Sequence, residues 1–73
     1  MDKPYLLTTF DQAGQILGEA RFFSHSAAHL EAAADARCRE YTIVGPGWAR
    51  SWARRYIPGL GREKWRLYRD ENC

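Results

Sequence analysis

A chain of 73 residues can close around one hydrophobic core and no more. A domain of this size buries roughly 60% of the surface that its unfolded chain exposes, so there is no spare volume for a deep active-site cleft. Large apolar side chains run from Tyr5 to Tyr68 without a long polar gap. The expectation is therefore a single domain over 1–73, with an ordered core from about residue 4 to residue 69 and frayed ends. No apolar run approaches the ~20 residues of a membrane helix. No apolar signal segment follows Met1, and Cys38 and Cys73 lack Cys-x-x-Cys spacing. Together these point to a reduced protein of the cytoplasm, with Cys38 a buried structural thiol and Cys73 a thiol without a role.

Local patterning predicts a mixed α+β domain. Residues 5–10 are rich in β-branched and aromatic side chains, and residues 16–23 alternate with period two. Between them, Asp11 is placed to cap a turn and Gly14 to supply positive φ, so the two segments form a β-hairpin. Ser24 or Ser26 caps a helix running to Arg39 or Glu40, with Ala27, Leu30, Ala34, Cys38 and Tyr41 on one face. On the same helix Asp35 and Arg39 stand four apart in the favourable order. Residues 41–44 form a third strand, ended by Gly45, Pro46 and Gly47. Residues 48–57 have helical period, which places Trp48, Trp52 and Tyr56 on one face and Arg50 and Arg54 opposite. Pro58 and Gly59 end that second helix, and residues 64–69 alternate as a final strand. The predicted order is β-β-α-β-α-β, with a mostly antiparallel sheet and the main helix packed on one face. If residues 5–10 lie at the sheet edge, their free backbone groups accept an extended peptide.

Catalytic signatures are missing from the sequence. His25 and His29 stand four apart, but a metal site needs a third ligand, and Cys38 lies elsewhere on the predicted helix. The two histidines are therefore expected to be solvated, with no metal or other cofactor bound. Gly45–Gly47 and Gly59–Gly61 lack the lysine and hydroxyl of a phosphate loop, so both are turns. No nucleophile with a base beside it can be picked out, which makes the expected activity binding and not catalysis.

Charge is distributed unevenly. Residues 1–41 carry a net charge of −2 and residues 42–73 a net charge of +4, and the second segment holds all three tryptophans. Its Trp- and Arg-rich tract is the strongest constellation in the chain. Arginine and aromatic side chains together serve protein interfaces. The same pair also binds nucleic acid, through phosphate contacts and base stacking. A third reading keeps the rings in the core beneath an ordinary solvated basic face, Trp52 and Trp65 above all. The candidate partner-binding residues are Trp48, Arg50, Arg54, Arg55, Arg66, Tyr68 and Arg69, expected to stand outward as one patch on a monomer.

The length of the chain and its opening from Met1 to Leu7, followed by the hairpin, resemble the very small phage-encoded proteins that bind bacterial host RNA polymerase. That resemblance implies inhibition or redirection of transcription by interference with the sigma factor, with an added effect on termination. It carries over no functional residue. The alternatives are a small basic nucleic-acid-binding domain and an inhibitor of another host system, such as a nuclease-based defence.

Overall fold

The computed structural model describes residues 3–72, so Cys73 lies outside the described residues. The elements are β1 (Tyr5–Phe10), β2 (Ile16–Phe22), α1 (His25–Ala34), β3 (Glu40–Gly45), β4 (Trp48–Ile57) and β5 (Arg62–Asn72). All strand pairs are antiparallel, and the sheet order is β2-β1-β3-β4-β5. The α+β class, the hairpin and the antiparallel sheet match the expectation. No helix among the described residues is long and apolar enough to cross a membrane.

The β1–β2 turn forms as its residues dictate. Asp11 accepts from the backbone N–H groups of Ala13 and Gln15, both at 2.9 Å, and Gly14 has φ +82°. Ser24 is the N-cap of α1 and accepts from Ala27 N–H at 3.2 Å. The helix stops at Ala34, short of the predicted end at residue 39 or 40. Asp35 is extended, and its carboxylate accepts from Arg37 N–H at 3.0 Å. That local bond competes with continuation of the helix. Asp35 consequently meets Arg37, and the expected Asp35–Arg39 pair does not form, because Arg39 binds Glu63 instead.

Helix α1 packs on β1, β2 and β3. It turns Ala28 and Ala32 inward and leaves Leu30 72% exposed, a different face from the predicted one. Two alanines let the helix backbone sit close to Leu7, Tyr41 and Ile43, and with Cys38 these six residues form the buried core. The Cys38 thiol donates to Glu40 O, and burial raises its pKa, as suits an inert structural thiol.

Two sequence expectations are corrected. The segment 5–10 is a central strand paired on both sides, with β2 and β5 at the edges, so β1 offers no free edge to a peptide. The segment 48–57 is a strand and not a second helix. Pro46 and Gly47 join it to β3 in a two-residue turn with Gly47 at φ +78°, and it pairs with β5 along its length and with β3 from Trp48 to Ala53. Those two ladders satisfy its backbone groups better than an isolated short helix would.

Candidate interface on the two sides of the β4–β5 hairpin

A strand deals its side chains alternately to two sides, and this decides where each candidate residue stands. The side that carries α1 takes the even-numbered residues of β4, namely Trp48, Arg50, Trp52, Arg54 and Tyr56. Read as a helix, the same segment would have set the arginines opposite the rings; as a strand it interleaves them. The facing residues of β5 are Trp65, opposite Arg54, and Leu67, opposite Trp52.

The helix side of the hairpin is built from stacked rings. Trp52 lies over Tyr41, with centroids 5.0 Å apart and planes 19° apart, and meets the His29 ring at 4.4 Å. Trp65 meets Tyr41 edge-on at 4.8 Å, and Trp48 meets Tyr5 at 5.9 Å. The arginines lie on the indoles: Arg50 Cζ is 4.6 Å from the Trp48 ring and Arg54 Cζ is 4.7 Å from the Trp65 ring. Arg50 is also held by Asp70 at 3.0 Å. All three tryptophans are half-buried and packed against the core. Because α1 covers β1 to β3, the outer part of this surface stays open, with Tyr56 61% and Leu67 48% exposed.

His29 belongs to this cluster and not to solvent. Its Nδ1 lies 2.6 Å from Tyr41 Oη. Burial, with a smaller effect of the His25 charge, lowers the His29 pKa, while burial first and Cys38 second push Tyr41 up to about 12. Both shifts favour the neutral pair, joined through imidazole Nδ1 and the tyrosine hydroxyl. His25 meets His29 edge-on at 5.9 Å, and no cluster of metal-ligating side chains occurs among the described residues.

The open side of the hairpin carries Arg55, Arg62, Lys64, Arg66, Tyr68 and Arg69. The register slips between Ser51 and Trp52, so that Tyr68 is the extra residue and both it and Arg69 fall on this side. The same slip returns Asp70 to the helix side, opposite Arg50. Tyr68 reaches across β4 and donates to the Glu40 carboxylate on β3 at 3.0 Å. Beneath that reach, Ser51 and Ala53 are buried, and Ser51 bonds Thr42 at 2.9 Å. Partial burial and the bond to Glu40 raise the Tyr68 pKa. Arg69 is paired with Glu71 at 3.6 Å.

The structure therefore brings together Trp48, Arg50 and Arg54 on one side and Arg55, Arg66, Tyr68 and Arg69 on the other. The seven do not form one patch, because the sheet stands between the two groups. Sequence reasoning missed Tyr56, Trp65 and Leu67 on the helix side and Arg62 and Lys64 on the open side. The signal for the last two was their alternation with Glu63 and Trp65. Comparison with protein-family models, with curated proteins and with solved structures finds no match to this chain.

Proposed function

We propose that this protein acts by binding another protein through the helix side of the β4–β5 hairpin, and that the partner is the bacterial host RNA polymerase which the sequence resemblance implies. The observation that carries the docking surface is the row of rings and arginines left beyond the reach of α1. Trp48, Trp65, Tyr56 and Leu67 offer aromatic and aliphatic contact area, and the guanidinium groups of Arg50 and Arg54 sit over two of the indoles. Guanidinium groups already stacked lose little freedom when a partner arrives, and half-buried aromatic anchors are the usual seats of binding energy. Binding in this reading inhibits or redirects transcription, with no reaction catalysed.

Purified polymerase should bind the wild-type protein, and Trp48→Ala should weaken that binding by about 2 kcal/mol, roughly thirtyfold. Arg54→Ala, at the rim, should weaken it less and act mainly on the association rate. An unchanged affinity in both folded variants, measured by interferometry, would remove this surface from the account.

A further inference from the structure

The last residue of β4 opposite a β3 residue is Ala53, and the last backbone bond between them runs from Arg54 N–H to Arg39 O at 2.9 Å. Beyond it the hairpin continues as a two-stranded ribbon, pairing Arg55 with Lys64, Tyr56 with Glu63 and Ile57 with Arg62. At about 3.4 Å per residue, the ribbon projects roughly 13 Å past the sheet. The molecule is correspondingly elongated, 43 × 23 × 20 Å.

Charge on this ribbon is sorted by side. The open side carries Arg55, Arg62 and Lys64, with Arg66 at its root opposite Ala53, all four exposed. Among the described residues, none of the four has a carboxylate within ion-pair distance, whereas Arg39, Arg50 and Arg69 are each paired. The single acidic residue of the ribbon, Glu63, lies on the helix side and is taken by Arg39.

We propose that this ribbon is an arm that binds B-form duplex DNA, with its open side toward the phosphates. Three features favour a duplex over an acidic protein. Protein interfaces are depleted of unpaired charge at their centre and use aromatic anchors. The open side of the arm has unpaired charge and no aromatic ring, and Tyr68, nearer the sheet, is committed to Glu40. A two-stranded ribbon also matches the width of the B-form major groove, about 12 Å. Successive same-side pairs on the ribbon are about 6.8 Å apart, the advance of about two phosphates along one DNA strand. Phosphate contacts position the arm without reading sequence. The arm is separate from the polymerase-docking surface, which occupies the opposite side of the same hairpin.

Fluorescence anisotropy with a short labelled DNA duplex tests the proposal. Wild-type protein should bind unrelated sequences equally, and affinity should fall roughly a hundredfold between about 50 mM and about 200 mM salt, as four phosphate contacts require. Each single change among Arg55→Gln, Arg62→Gln, Lys64→Gln and Arg66→Gln should lower the salt slope by about one. The quadruple variant should lose duplex binding while keeping the wild-type thermal melt, since the four side chains are exposed. Absence of binding by wild-type protein at low salt would overturn the proposal, as would duplex binding retained by the quadruple variant. Equal affinity for duplex RNA, whose major groove is too narrow to admit the ribbon, would overturn the groove assignment. Loss of purified polymerase by the quadruple variant, with no duplex bound by the wild type, would make the arm's partner an acidic protein. Duplex binding by a wild-type protein that shows no affinity for purified polymerase would remove the docking reading and leave the arm.

Discussion

Ile43→Ala should cost this domain about 3 kcal/mol and leave much of it unfolded at physiological temperature. Ile43 is fully buried at the centre of β3, between Leu7 on β1 and Arg50 on β4, beneath the two alanines of α1. Truncation there removes three carbons from a core of six residues, and the surrounding backbone is held by ladders on both sides of β3. The site cannot collapse to fill the void, so transfer loss and cavity cost add. A small domain with few kcal/mol to spare has little reserve against such a loss. Urea denaturation followed by far-ultraviolet circular dichroism measures the change. A midpoint equal to the wild type would mean that the core is not where the structure puts it.

Gly45→Ala should cost roughly 2 kcal/mol and displace the Trp48 indole. Gly45 is paired with Trp48 across the turn, and a Cβ on Gly45 would stand 2.6 Å from Trp48 Cε2 and 2.7 Å from Cζ2. The indole cannot swing aside freely, since Tyr5 lies against it and Arg50 is stacked on it. Relief therefore requires an off-rotamer ring or a shift of the β3–β4 turn, the usual cost of overpacking. The expected signs are a lower denaturation midpoint and tryptophan emission moved to longer wavelength. Unchanged emission with unchanged stability would show that the indole does not rest on this glycine.

The parts of the fold that were legible in the sequence are those fixed by neighbours along the chain. Asp11 and Gly14 specify the first turn through bonds within four residues, and Ser24 announces the start of α1. The predicted end of α1 overshoots because the alanine-rich stretch 27–36 carries helical propensity past its true end, while the Asp35 carboxylate, accepting from Arg37 N–H, stops the helix. The segment 48–57 is the instructive failure. Rings at 48, 52 and 56 recur every four residues, a spacing that satisfies a helix face and also every second position of one strand side. The deciding signal is size: Ala49, Ser51 and Ala53 are small and alternate with large neighbours. That alternation is what a strand needs when Tyr68 must cross over Ser51 and Ala53 to reach Glu40. Its meaning depends on β5, a partner that local periodicity does not reveal.

The same pleat explains why the candidate site divides. A tract that looks like one basic, aromatic patch along the chain becomes an aromatic side with its arginines stacked or paired, and an opposite side where, among the described residues, Arg55, Arg62, Lys64 and Arg66 have no carboxylate partner and Arg69 has one. The slip at Tyr68 sharpens the division by sending Arg69 outward with Tyr68 and returning Asp70 to Arg50.

Hydroxyl-radical footprinting of the complex with purified polymerase tests that division most directly, because Leu67 and Tyr68 are adjacent in sequence, both are accessible, and they face opposite ways. The account predicts that bound polymerase shields Tyr56 and Leu67 from oxidation and leaves Tyr68 as reactive as in the free protein. Shielding of Tyr68 with Tyr56 and Leu67 still open would contradict it.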